Sequence, residues 1–126
     1  MSKKNILIVD DSFVMRALLR GIVTSDPDLA VVGEATNGLE ALQSIKELNP
    51  DLVLLDVMMP GALDGYQVCE KIKADPILGS MTKVILLTAR GQKTDIERGH
   101  EAGCDAYLVK PFSPIELLDT VDRLVP

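Results

Sequence analysis

The stretch Asp51-Leu-Val-Leu-Leu-Asp56-Val-Met-Met-Pro60 decides how this chain folds. Leu52 to Leu55 is an unbroken apolar run, too short for an ordinary helix, entered after Asn49-Pro50 and left at Pro60. Such a run is a strand covered on both faces, the kind that parallel sheets contain. Its C-terminal end delivers a carboxylate, Asp56, into a loop. In open α/β sheets, ligands bind outside the carboxyl ends of the strands. Asp56 is therefore either a salt-bridged structural acid or a chemical group, and the flanking sequence has to discriminate.

Towards the N-terminus, Asn5-Ile-Leu-Ile-Val9 is a second run of the buried type, and it ends in Asp10-Asp11. Ser12 is an N-cap for a helix with Val14, Ala17, Leu18, Gly21 and Ile22 along one face, stopping before Asp26-Pro27. Leu29 to Ala35 is a weaker, mixed strand expected near a sheet edge. Asn37-Gly-Leu-Glu40 opens the next helix, with Ala41, Leu42, Ile45 and Leu48 as its buried stripe.

Towards the C-terminus, a turn-rich loop from Val57 to Asp64 leads to a helix from about Gly65 to Ala74, with Val68, Cys69 and Ile72 inward. Asp75-Pro76 closes it, and a loop through Gly79-Ser80 leads to Lys83-Val-Ile-Leu-Leu-Thr88, a third buried run. The following helix, about Gln92 to Ala102, has Ile96 as its one large aliphatic residue and Gly99 within it. That composition predicts a lightly anchored helix able to shift. Asp105-Ala-Tyr-Leu-Val109 is the last strand and runs into Lys110-Pro111. Ser113-Pro114-Ile115-Glu116 sets an N-cap, a Pro at N1 and a Glu at N3 for the final helix, whose stripe is Leu117, Leu118, Val121, Leu124 and Val125. Five alternations of strand and helix with right-handed crossovers predict a five-stranded parallel sheet with five helices on both faces.

A chain of 126 residues fits one domain over residues 1–126. With 47% hydrophobic residues, 3% aromatic and no Trp, its core is aliphatic rather than absent. The balance of 13 basic and 19 acidic residues gives a net charge of −6, which predicts no direct binding to nucleic acid or anionic membranes. No apolar run reaches membrane-span length and no signal-peptide core follows Met1, so a cytoplasmic location is expected. Cys69 and Cys104 lack the paired spacing of a metal site and read as small core thiols.

Asp10, Asp56, Thr88 and Lys110 each stand at the end of an apolar strand, and parallel strands bring all four to one sheet edge. Asp10, Asp11 and Asp56 cannot gather there as bare anions, because close like charges in low dielectric are costly. A hard cation, Mg²⁺ or Mn²⁺, resolves this, with Lys110 as a second positive charge. The set suits phosphoryl transfer to a carboxylate: Asp56 as nucleophile, Thr88 and Lys110 stabilising the transferring oxygens.

Asp10-Asp11, Asp56, Thr88-Ala89 and Lys110-Pro111-Phe112 together resemble the receiver domain of bacterial two-component response regulators, a likeness running from about Lys4 to Val125. The resemblance implies a flavodoxin-like fold with strand order 2-1-3-4-5. It implies Asp56 as phosphoacceptor, Mg²⁺ held by Asp11, Asp56 and the Met58 backbone carbonyl with Asp10 acting through water, and a cis Lys110-Pro111 peptide. It also implies a switch in which Thr88 is drawn to the phosphoryl group and Tyr107 follows, changing the surface of the fourth helix, fifth strand and fifth helix. The implied donor is a phosphohistidine on a histidine kinase or phosphotransfer protein, docking beside Phe13, Val14 and Phe112. The implied assembly is a monomer or a phosphorylation-dependent dimer.

Against the family pattern, the loop Pro60-Gly-Ala-Leu-Asp-Gly65 is one residue longer than the commonest form, which would displace the start of the third helix. Met58 and Arg90 flank the site where some members carry small or acidic groups, so their bulk predicts a long-lived phosphoryl state. His100 reads as a solvated helix residue. A haloacid-dehalogenase-like phosphatase needs an acid two residues after the nucleophile, where this chain has Met58. A nucleotide or flavin binder is disfavoured by the lack of GxGxxG or GxxxxGK[ST] after any strand. The leading expectation is a phosphorylation-controlled switch rather than a turnover enzyme; the alternative is a receiver-like scaffold independent of phosphate.

Overall fold

The apolar runs become strands because β-branched and leucine side chains alternate to opposite faces and both faces are covered. The computed structural model describes residues 3–126. Its strands are β1 (Lys4–Val9), β2 (Leu29–Ala35), β3 (Leu52–Asp56), β4 (Lys83–Thr88) and β5 (Ala106–Val109). They form one parallel sheet in the order β2-β1-β3-β4-β5. The helices are α1 (Phe13–Thr24), α2 (Gly38–Leu48), α3 (Gly65–Ala74), α4 (Pro76–Met81), α5 (Lys93–Glu101) and α6 (Pro114–Leu124). The fold is the flavodoxin-like one expected, and the mixed strand β2 lies at an edge.

Odd and even strand positions feed two separate cores. Leu7, Val9, Val53, Leu55, Val84 and Leu86 meet Ala41 and Ile45 of α2 and Val68, Cys69 and Ile72 of α3. Ile6, Ile8, Leu52, Leu54, Ile85 and Leu87 meet Leu19, Ile22 and Val23 of α1 and Leu117 and Val121 of α6. Burying a side chain of this size stabilises by about 1.5–3 kcal/mol, so these two layers hold the sheet.

Three local expectations are corrected. There are six helices, not five, because α4 replaces the loop expected after Asp75-Pro76. The Asp75 carboxylate accepts from the Ile77 and Leu78 amides at 2.9 and 3.0 Å, and Pro76 occupies the first turn, where no amide is needed. The residues that end α3 thus start α4, and the fourth and fifth helices of the sequence reading are α5 and α6. The buried face of α1 is Leu19, Ile22 and Val23, while Val14 and Leu18 are exposed. Apolar residues occupy more than one stripe of α1, and Arg16 and Arg20 fix its rotation by pairing with Glu34 of the edge strand at 3.0 and 2.6 Å. On α2, Leu48 is exposed and Leu42 half-buried, leaving Gly38, Ala41 and Ile45 as the buried face.

After the longer loop, α3 starts at Gly65, the residue read from the sequence. Gly61 absorbs the turn at φ +99°, a region only glycine enters freely. Asp64 and Gln67 then close a capping box. Lys73 at the end of α3 ties the lower side together, bonding the Thr82 carbonyl at 2.9 Å and the Asp105 carboxylate at 2.8 Å.

Candidate functional site

Three strands end side by side at the carboxyl edge of the sheet, and each ends in a polar group. Asp56 closes β3 and is 5% exposed; Asp10, directly after β1, is 2% exposed. Asp11 beside them is open to solvent. One carboxylate oxygen from each of Asp10, Asp11 and Asp56 lies within 4.8 Å of the others. Asp10 is oriented by accepting from the Ser12 amide at 2.9 Å, and its backbone carbonyl accepts from Arg16 at 2.8 Å.

Lys110, one residue beyond β5, sends its ammonium across to Asp10 at 3.2 Å and to Asp56 at 3.5 Å. The Lys110-Pro111 peptide is cis, as the resemblance implies. One ammonium is shared by two buried carboxylates, and a third acid, Asp11, stands beside them, so acids outnumber the lysine in the cluster. Burial pushes the Asp56 carboxyl up to about 6 from its ordinary 3.8, and the Asp10 charge adds to the push. Lys110 and the Met58 backbone N–H pull it partly back. The donor set fits a hard divalent cation: all oxygen, two acids fixed in the protein and one on the wet side, where waters complete the shell.

Thr88 ends β4, fully buried, and its hydroxyl accepts from the Arg90 amide at 3.1 Å. The guanidinium of Arg90 reaches back over the mouth of the site, its Nε 3.0 Å from the Met58 sulfur. A cavity of about 410 Å³ opens beside them, lined by Val57, Met58, Met59, Asp64, Tyr66 and Arg90. The Tyr107 hydroxyl is not a free surface group: it donates to the Arg90 carbonyl at 2.8 Å and lies 3.0 Å from the Tyr66 hydroxyl. Burial, then the Tyr66 bond, holds its phenol well above the usual range.

The sequence-predicted residues Asp10, Asp11, Asp56 and Lys110 therefore converge, with Thr88 on the adjoining strand and Met58 and Arg90 across the mouth. Phe13 and Val14 are exposed on α1, and Phe112 lines an apolar recess with Met15, Leu18, Lys110 and Pro111. His100 is exposed on α5. Cys69 and Cys104 are free thiols raised by burial to about 12 and about 11, which suits core filling. Two contributors were missed. Arg16 braces Asp10 through its carbonyl, and Tyr66 meets Tyr107 although 41 residues separate them. For Tyr66 a signal existed: the chain holds two tyrosines, and a tyrosine in the first turn of an inward-facing helix needs a partner for its hydroxyl.

Buried acids, a strand-end lysine and a strand-end hydroxyl on this sheet define a receiver-type site. The chain belongs to the response regulator receiver domain family, whose model matches residues 6–122; it is a receiver domain of two-component systems. It is 42% identical over 124 residues to the transcriptional regulatory protein ResD of Bacillus subtilis, covering 98% of this chain and 49% of that protein. It is 38% identical over 122 residues to the chemotaxis protein CheY of Thermotoga maritima, covering 96% of this chain and 97% of that protein. Among solved structures it resembles a Borrelia burgdorferi complex of CheX with CheY, BeF₃ and Mg²⁺, with TM-score 0.88 and 28% identity over 99% of this chain and 91% of that one. The chain spans about half the length of ResD and of the DNA-binding response regulators it matches. Among the described residues, no helix is long and apolar enough to cross a membrane.

Proposed function

We propose that residues 1–126 act as one receiver unit whose Asp56 accepts a phosphoryl group, and that the product is a changed surface rather than a released compound. The observation that carries this is Lys110 reaching both Asp56 and Asp10 from the end of β5, two strands from β3 and three from β1. A purely structural counter-ion needs one acid, whereas a lysine shared by two buried acids spans the place where transferring oxygens would sit.

In the proposed step a carboxylate oxygen of Asp56 attacks phosphorus of a phosphohistidine on a histidine kinase or phosphotransfer protein. An O–P bond forms, the N–P bond breaks, and the histidine nitrogen leaves with the electron pair and takes a proton. Lys110 offsets charge on the phosphoryl oxygens, and the Thr88 hydroxyl donates to one of them. Asp10, Asp11, Asp56 and the Met58 carbonyl would hold Mg²⁺ or Mn²⁺, which supplies further charge neutralisation when bound. The likeness to a CheY bound to BeF₃ and Mg²⁺ supports that assignment. Thr88 and Tyr107 would carry the change to α5, β5 and α6, where a downstream partner or a second copy binds. The exposed Phe13 and Val14 with Phe112 suit docking of the phosphodonor. The reading includes a cytoplasmic location, where a phosphohistidine donor of this kind would meet the domain.

Intact mass after incubation with a small acyl phosphate tests this. One phosphate is expected on the wild type with Mg²⁺, and none without the metal or on Asp56→Ala. No adduct on folded wild type overturns the assignment and leaves the phosphate-independent scaffold.

A further inference from the structure

Among the described residues, Met58 and Met81 are the exposed methionines, at 54% and 66%, while Met15 and Met59 are half-buried. The two exposed thioethers have different settings. Met81 ends the short helix α4, before β4 and so at the amino edge of the sheet. Met58 stands two residues after Asp56, and its sulfur lies 3.0 Å from Arg90 Nε at the mouth of the acid site. The cavity of about 410 Å³ opens against both side chains, so a small oxidant can reach the sulfur from solvent.

The Arg90 guanidinium is loosely held there. A thioether is a weak acceptor. The carboxylate of Asp95 on α5 lies 3.7 Å from the guanidinium, too long for a hydrogen bond. The backbone of Arg90, in contrast, is tied to the acid site, its N–H donating to Thr88 Oγ1 at 3.1 Å. A stronger acceptor at Met58 would therefore draw this guanidinium over the mouth from a backbone already anchored beside it.

We propose that Met58 is a peroxide-sensitive modification site whose sulfoxide clamps Arg90 over the acid site and prolongs the phosphoryl state. The oxidant is a hydroperoxide, in the simplest case hydrogen peroxide. A sulfur lone pair attacks one peroxide oxygen, an S–O bond forms and the O–O bond breaks. The departing hydroxide takes the proton from the transferred oxygen and leaves as water; sulfur is oxidised and the peroxide reduced. The sulfoxide oxygen then accepts a charge-assisted hydrogen bond from Arg90 in place of the weak contact to sulfur. The Met58 backbone carbonyl, the group assigned to the metal, is unchanged by the step. The effect on lifetime rests on Asp56 being the phosphoacceptor.

The test compares the full chain with and without brief hydrogen peroxide treatment, as wild type, Met81→Leu, Met58→Leu and Arg90→Ala. Peptide mass locates the added oxygen. Each protein is then loaded with acyl phosphate and Mg²⁺, the donor is removed, and loss of phosphate is followed by intact mass. Oxidised wild type and oxidised Met81→Leu are expected to lose phosphate about fivefold more slowly than their own untreated forms. Methionine sulfoxide reductase restores the untreated rate. Oxidised Met58→Leu and Arg90→Ala keep the rates of their untreated forms. An unmodified Met58 under conditions that oxidise Met81 overturns the site. A lifetime unchanged or shortened by oxygen on Met58 overturns the consequence, and a slowing that survives Arg90→Ala overturns the clamp. Phosphate failing to add to untreated wild type overturns the role of Asp56 and the lifetime effect with it, an outcome seen before any peroxide is added.

Discussion

Helices α3 and α5 cross the same face of the sheet and are anchored by opposite means. α3 buries Tyr66, Val68, Cys69 and Ile72 and is pressed on the end of β3 through Gly65. α5 buries Gly99 alone and is held by polar contacts: Tyr66 on the Asp95 carbonyl, Arg90 with Asp95 at 3.7 Å, and Arg98 paired with Glu70 and lying 5.2 Å from the Tyr66 ring centroid. Apolar burial is non-directional and strong, whereas polar contacts at a surface are directional and each contributes about 1 kcal/mol or less. One helix is therefore the fixed frame for the acid, and its neighbour can be re-set by rearranging a few hydrogen bonds.

The contrast breaks most visibly by truncation. Ile72→Ala in α3 is expected to cost about 2–5 kcal/mol, and Ile96→Ala in α5, half-buried, about 1 kcal/mol or less. Urea unfolding of both variants checks this, and equal losses would contradict the unequal anchoring.

The frame itself carries a strained acid, which a pH series sharpens. With its pKa near 6 in the fold against an ordinary 3.8, Asp56 binds its proton more readily in the native state between those values. Native stability of the metal-free protein should then fall as pH rises from about 4 to about 6 and stay lower above, by about 1–3 kcal/mol. Asp56→Asn should remove that loss and be more stable than wild type at pH 7. Thermal unfolding in chelator across this range reads both; a rise in stability over the window in wild type would refute it.

The smallest expected effect lies at the mouth, where Arg90 of the adjustable side meets Met58 of the fixed side. Opening this lid with Met58→Asn and Arg90→Glu should shorten the life of the phosphorylated state about 3- to 10-fold, a barrier change of about 1 kcal/mol. Loss of phosphate followed by mass checks it, and equal lifetimes would show that the lid does not limit water.

The legibility of the sequence follows the same division. β1, β3 and β4 were readable because an apolar run of strand length has few other solutions, and the acids, hydroxyl and lysine followed from where those runs stop. The rotation of α1 was not, because several apolar stripes were available and Arg16 and Arg20 chose between them through Glu34 on another strand. α4 was hidden because Asp75-Pro76 is both a stop and a start. The weak anchoring of α5 could be seen in its composition, but Tyr66 as one of its holds could not. A tyrosine on an inward-facing helix signals that its hydroxyl needs a partner, but nothing local names one 41 residues away.

The short helix α4 has a practical consequence. It precedes β4 and so lies at the amino edge of the sheet, away from the acids, with Ser80 exposed on it. The two native thiols are kept protonated by burial, at about 12 and about 11. A cysteine at position 80 would thus be the one that a maleimide dye finds quickly. The domain offers a ready attachment point for single-site labelling, on the side that phosphate chemistry does not use.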